Sequence, residues 1–378
     1  MKQGRTLTDL AGELDRQKAA KRDFIIHTKQ AQVLPMEDLE KNAKWLSMIL
    51  PVAGENGETK AEQFPVSPHS LRQIGQRLNI PAKYVDRLAA DHPDMLAYNI
   101  NGLFSREPEM RMIRTLDGTM RAFMSNRYRI MDNYDLLEAV LPGLIEADAE
   151  ILSCEVTDSH LYVKALHPTL KAEIPPPEGV KMGDGKHTFF IDNIQAGLTL
   201  RNSEIGQGRL GVQPASFTKR CTNWASFKDH EYSKFHLGAR HDGGGKDAWE
   251  MFSDDTKRLS DAALWHQVRD IVTAAMDGSA FAKIVEKLTS ARGDLIERDP
   301  VKCVEILADK NSLGEADKIG ILQHLIRGGD LSRYGLSNAV TRMAEDAENY
   351  ERATELETLG GTIIELPRSE WQVMAKAA

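Results

Sequence analysis

Cysteine is scarce in this chain. Three occur in 378 residues, Cys154, Cys221 and Cys303, odd in number and far apart, a usage that suits reduced thiols and excludes a disulfide framework. No apolar run approaches the roughly 18 residues that cross a bilayer, so no membrane partner is expected. Positive charge is also in deficit: 48 Lys and Arg against 56 Asp and Glu leave a formal net charge of -8. A chain with that balance is not a whole-surface binder of polyanions, and affinity for nucleic acid has to come from a local basic face. The opening MKQGRTLTDLAGELDRQKAAKRDF lacks the apolar stretch and small-residue cleavage site of a secretory signal, and a cytoplasmic location is expected.

What is present is ordinary globular material, 41% hydrophobic and 28% charged, long enough for roughly two or three substructures. Leu7, Leu10 and Leu14 have helical period, Phe24 to His27 reads as extended, and Met36 to Leu50 reads as a helix followed by a polar loop from Gly54 to Glu62. Ser67-Pro68 opens a helical segment and Pro81 reopens it, to about Leu103. The period then changes to two: MRMIRTL, Asp117-Gly118 and TMRAFMS form a hairpin signal. Asn133 caps a helix interrupted near Pro142, and EILSCEV and LYVKALH form a second hairpin around Asp158-Ser159. After a loop containing Pro175 to Pro177 and Gly183 to Gly185, the runs HTFFIDNI, AGLTLRN, RLGVQP and SFTKRCTNW read as further strands. Gly243 to Gly245 reads as a link into helices at about 247–277, 279–292, 299–308, 315–327 and 336–358, a short strand TIIELP and a last helix. No period of about 20 to 50 residues marks a solenoid.

The expected fold is therefore α+β: a helical N-terminal segment (1–105) that includes a helix-turn-helix-like pair, a β-rich core (106–242) built on a central antiparallel β-sheet with a packed helix, and a helical C-terminal half (243–378).

Two constellations point to nucleic acid. The first hairpin gathers Arg111, Arg114, Arg121, Arg127 and Arg129 around a single acid, Asp117, and the later strands add Arg201, Arg209, Lys219 and Arg220 with Phe217 and Trp224 interleaved. Guanidinium on a sheet with aromatics suits single strands, since phosphates take the charge and every base offers a π-face. The same arginines also suit the solvated faces of amphipathic strands, and the sequence leaves both open. In LRQIGQRLNIPAKYVDRLAA, Gly75, Ile80, Val85 and Leu88 stand where a helix-turn-helix needs a small residue and three core contacts. Asn79 stands at the turn, where asparagine tolerates a left-handed backbone, and Lys83, Tyr84 and Arg87 would face a groove. Any tightly packed helix pair gives the same pattern.

The remaining candidates are weaker. Cys221, His230, His236 and His241 are zinc-ligand types without paired spacing, so no metal is expected. In HDGGGKDAW, Lys246 precedes Asp247 where a phosphate loop needs a hydroxyl, and the run reads as a linker. Glu345, Asp346, Glu348, Glu351, Glu355 and Glu357 read as a solvated helix face. No nucleophile and base share a motif spacing, so the chain is not read as an enzyme and no cofactor is required.

The motifs RNSEIGQGRLGV, TKRCTNW, GARH, GGDLSRYGLSNAVTR and LETLGG, with QIGQRLNIPAKYVDRL before them, resemble the phage/plasmid-like family defined by a domain of unknown function (DUF932), over about residues 60 to 365. This chain departs from it at Trp224, where the family commonly has glycine after Cys-Thr-Asn. The resemblance implies a mobile-element protein, and its hairpin and helix core is similar to the superfamily of ring-forming single-strand annealing recombinases. The expected function is single-stranded DNA binding and strand annealing by a homo-oligomer. A duplex DNA-binding regulator using the helix-turn-helix-like segment, or a host-interaction protein that touches no nucleic acid, are the alternatives.

Overall fold

A computed structural model describes residues 1–38, 43–53, 58–177, 189–228, 232–234 and 253–377. The chain is mixed α+β, with helices at both ends and three antiparallel sheets. Helix α1 (Leu7–Ala20) is capped by Thr6, whose hydroxyl accepts the Asp9 N–H, and buries Leu10 and Leu14. Strand β1 (Arg22–His27) follows the extended reading.

The helix expected from Met36 to Leu50 is not there. Those residues form β2 (Gln32–Asp38) and β3 (Ala43–Ala53), and β4 (Thr59–Pro65) takes up the end of the expected polar loop, from Thr59 to Glu62. The physical reason lies in β3, where Leu46, Met48, Leu50 and Val52 alternate into one core at 6% exposure or less, a period of two that its flanking apolar residues hide. The N-terminal third is thus as much sheet as helix.

Ser67 caps α2 (Pro68–Arg77), and α3 (Ala82–Asp91) and α4 (Pro93–Arg106) complete the helical stretch. Strands β5 (Met110–Leu116) and β6 (Thr119–Ser125) form the expected hairpin. Asp117 and Gly118 have φ of 50° and 73°, the two positive values that a type I′ turn requires. These elements enclose one apolar core, from Ile26 to Phe123.

Asp132 takes the N-cap position of α5 (Asn133–Glu146), one residue before the expected cap, and Pro142 lies inside the helix. The central sheet is β7 (Glu150–Val156), β8 (Leu161–Ile174), β9 (Asp192–Asn202), β10 (Leu210–Thr218) and β11 (Asn223–Ser226) in that spatial order, with β12 (Tyr232–Lys234) also on β10. The runs HTFFIDNI and AGLTLRN contribute to one strand, β9, rather than two. Val163, Ala165, Leu198, Leu200, Leu210 and Val212 line one face and pack on α1, α5 and α6 (Asp254–Ala275). On the opposite face, Lys164 and Thr199 stand opposite each other, as do Thr199 and Gln213.

The C-terminal helices are α7 (Gly278–Gly293), α8 (Pro300–Asn311), α9 (Glu315–Gly328), α10 (Arg333–Arg342), α11 (Tyr350–Glu365) and α12 (Arg368–Ala375). The single helix expected at 336–358 is two, broken by a 3-10 turn at Met343–Glu345 and capped anew by Asn349. The strand expected at TIIELP is the end of α11. Its β-branched run stays helical because Ile363 and Ile364 fill two different cores, and tertiary packing outweighs local propensity there. Glu357, expected on a solvated face, is fully buried 2.6 Å from the equally buried Lys164. Among the described residues no helix is long and apolar enough to cross a membrane.

Candidate nucleic-acid interface

The first hairpin carries its arginines inward. Arg114 has no solvent exposure; its Nε and Nη2 donate to Asp23 at 2.9 and 3.0 Å, Nη2 also donates to Asp132 at 2.6 Å, and Nη1 donates to the Glu204 carbonyl at 3.0 Å. Lys21 closes on the other Asp132 oxygen. Arg121 donates to Glu204 Oε2 at 2.5 Å while Glu204 Oε1 accepts the Asn133 N–H at 2.6 Å, capping α5 from a distance. Arg111 pairs with Glu109 at 2.9 Å over the Phe123 ring, and Arg129 pairs with Asp261 at 2.6 Å. Burial alone pushes the Asp132 carboxyl up, but the Arg114 guanidinium and the Lys21 ammonium outweigh it and hold the group below the usual carboxylate range.

This corrects the expectation for Arg111, Arg114, Arg121 and Arg129 as a phosphate-binding face. A guanidinium that enters a sheet has to be neutralised and hydrogen-bonded, and the acids that do so come from β1, the residue before β5, the residue before α5, the β9–β10 loop and α6. The hairpin is a charged internal joint between the N-terminal core and the central sheet. Arg127 alone of its five arginines is exposed.

Trp224 is corrected as well. It has no exposed surface, its Nε1 donates to Thr199 Oγ1 at 2.9 Å and to Ser226 Oγ at 3.2 Å, and Phe217 packs against it with ring centroids 6.3 Å apart. An indole buried on all sides offers no face to a base. Arg201 is half-buried on β9, whereas Arg209, Lys219 and Arg220 are exposed. Arg220 lies 3.2 Å from Asp192 and 4.3 Å above the exposed Phe190 ring. Arg209 and Lys219 bracket β10 at its two ends, roughly 30 Å apart at the rise of a strand. The exposed cations of this group do not form one surface.

The second constellation comes together. Leu78 to Pro81 join α2 to α3, and Asn79 has φ of 55°, the left-handed conformation expected of it. The Ile80 N–H returns to the Gly75 carbonyl at 2.8 Å, closing the end of α2. A Cβ added at Gly75 would lie 2.7 Å from Val85 Cγ2, so the two helices touch where the small residue stands. Ile74, Val85 and Leu88 are buried, and Leu71, Leu78 and Ile80 pack beside them. With those positions turned inward, the 3.6-residue period leaves Lys83, Tyr84 and Arg87 exposed on α3. The exposed Asp86 between them is drawn to Arg72 at 3.4 Å.

The pair is anchored from behind. The Gln73 amide donates to the Ile205 carbonyl at 2.8 Å and accepts the Phe123 N–H at 2.7 Å, and a His69 ring nitrogen lies 3.0 Å from the same Ile205 carbonyl. The loop that receives these contacts belongs to the motif RNSEIGQGRLGV, so Glu204 and Ile205, missed as structural centres, tie α2, the hairpin and α5 together. A cleft of about 760 Å³ opens beside this junction. Its guanidiniums are taken up locally: Arg16 by Glu13 and Asp117, Arg121 by Glu204, and Arg5 by Glu155 outside the cleft.

Of the zinc-ligand types, Cys221 is partly exposed, and His230, His236 and His241 lie outside the described residues, as does the HDGGGK run with Lys246 and Asp247. All three cysteines are free. Burial pushes the thiols of Cys154 and Cys303 up to about 11 and about 12, which leaves both inert as nucleophiles at neutral pH. Comparison of the chain with protein-family models, with characterised proteins and with solved structures finds no match.

Proposed function

We propose that the protein binds duplex DNA, with α3 as the helix that enters the major groove and Lys83, Tyr84 and Arg87 as its contacts. The observation that carries this reading is the joint between α2 and α3: Gly75 against Val85, Asn79 in a left-handed turn, and Lys83, Tyr84 and Arg87 exposed on the outer face of the second helix. A turn of this kind holds the second helix clear of the first, as groove insertion requires. The motif resemblance adds a setting, a phage or plasmid. Annealing of single strands has less support, because Arg114 and Trp224 are internal and the exposed cations around β10 are dispersed.

With Asp86 and Asp91 beside Lys83 and Arg87, the face is close to neutral, so modest non-specific affinity is expected and sequence readout has to supply the rest. The test is a titration of one sequence in single- and double-stranded form at several salt concentrations, with wild type and K83A/R87A. Tighter duplex binding, and a slope of log affinity on log salt reduced by about 0.9 for each phosphate contact removed, is the expected result. Preference for the single strand, or a double variant that binds duplex like wild type, would overturn it.

A further inference from the structure

We propose that the outer edge of β4, from Thr59 to Gln63, pairs antiparallel with the same edge of a second copy of this chain. The direction of the backbone groups follows from bonds at the end of the strand. The Val66 N–H donates to the Leu46 carbonyl at 2.8 Å, and the next N–H, of Ser67, turns the opposite way to the Met120 carbonyl at 3.0 Å. Backbone groups alternate sides along a strand, so Phe64, Glu62 and Lys60 bond towards β3 while Gln63, Ala61 and Thr59 point away. Pro51 stands opposite Ala61, and having no N–H it fits the position that makes no bond across the pair.

Among the described residues no strand pairs with Thr59 to Gln63 on that outer side; β6 meets it only past the end of β4, where Val66 bridges to Met120. Thr59, Lys60, Ala61 and Gln63 are all exposed. The opening has limits: Pro65 has no N–H to offer and Ser67 is already engaged, so the edge is free over the five residues TKAEQ. Two of the other edges are guarded, β2 by Pro35 within it and β7 by Arg5, which bonds Cys154 in both directions at 2.6 and 3.2 Å. An unguarded edge is a template for another strand.

The sequence of this edge selects its own copy. A two-fold axis through Ala61 sets Ala61 against Ala61, Thr59 against Gln63, and Lys60 against Glu62 on one face, with opposite charges across the pair on both sides of the axis. An axis through Lys60 or Glu62 would oppose like charges, and it would also aim the wrong backbone groups at the partner. Glu62 is held in place by Arg22, at 2.7 and 3.1 Å, whereas Lys60 makes no ion pair among the described residues. About six backbone bonds and two charge pairs make a small interface, so the dimer forms reversibly, at about micromolar concentration. In the duplex-binding reading, two copies would present two α3 helices to a two-fold site.

The experiment is sedimentation velocity on the full chain without DNA, from about 1 to about 100 µM, which separates this inference from the DNA reading. Wild type should dimerise. K60E and E62K should each self-associate about tenfold more weakly, because each sets like charges opposite one another, and an equimolar mixture of the two should recover the dimer, since acid then meets base at every charged position. If E62K fails to fold for want of its Arg22 partner, A61P removes one outward N–H at the axis and should be monomeric while folded. A monomeric wild type over the whole range, a dimer indifferent to K60E and A61P, or a mixture of folded K60E and E62K no more associated than either alone, would each overturn the proposal.

Discussion

Replacing Arg114 by methionine should destabilise the protein without changing how it binds DNA. The side chain is fully buried and neutralises two carboxylates, Asp23 and Asp132. Methionine fills much of the same volume but leaves Asp132 with Lys21 alone and Asp23 with no guanidinium. Removing one partner of a buried pair costs about 3–5 kcal/mol, and because the Asp23 side chain keeps 23% of its exposure the lower end, about 3 kcal/mol, applies. At a urea m-value of about 2 kcal/mol per molar, the midpoint of the transition that melts the N-terminal core should fall by about 1.5 M. The pH dependence gives a second readout. In wild type the folded Asp132 carboxyl lies below its ordinary 3.8, so its contribution is present above that value and is lost as pH falls through the folded one. Without Arg114, burial dominates and the carboxyl rises, so protonation relieves the variant and the gap between variant and wild type should narrow between neutral pH and about pH 4. A variant as stable as wild type whose DNA affinity loses salt dependence would refute this account and return Arg114 to the surface.

Two further substitutions probe other joints. N79G should fold as well as wild type and N79A should lose about 1 kcal/mol in a urea titration, because φ of 55° at that turn is open to glycine and costly to alanine; equal stability of the two would mean that the turn is not left-handed. E357Q should be strongly destabilised at neutral pH, since burial already lowers the Lys164 ammonium and only Glu357 opposes it. The folded-state value of Lys164 falls further in the variant, so its deficit should shrink as pH rises towards the ordinary ammonium value of 10.5, and a deficit that stays constant to about pH 9.5 would contradict the buried pair.

Several features were legible from residue order because their causes are local. Ser67-Pro68 starts a helix by supplying a cap and a preset φ, Asp117-Gly118 closes a hairpin by accepting positive φ, and Asn79 makes the turn between α2 and α3 for the same reason. Gly75 and Val85 are ten positions apart on consecutive helices, near enough for spacing alone to bring them together. The strands read as a helix between Met36 and Leu50 show where local reading fails: in AKWLSMILPVA apolar residues occupy both faces, and the period of two becomes visible only once a core has buried Leu46, Met48, Leu50 and Val52.

The charge of the first hairpin was in the sequence, but its meaning was not. Five arginines around one aspartate look like an exposed basic face as long as the neighbours considered are neighbours in the chain. The carboxylate and the carbonyl that take up Arg114 belong to Asp23 and Glu204, 91 positions before it and 90 after, and the hydroxyl that holds the Trp224 indole comes from β9, 25 positions before it. Periodicity, caps and turns depend on a few adjacent dihedral angles, so residue order determined them. Whether a cation meets solvent or a carboxylate depends on which distant strands the fold sets side by side, and only the tertiary structure decided that.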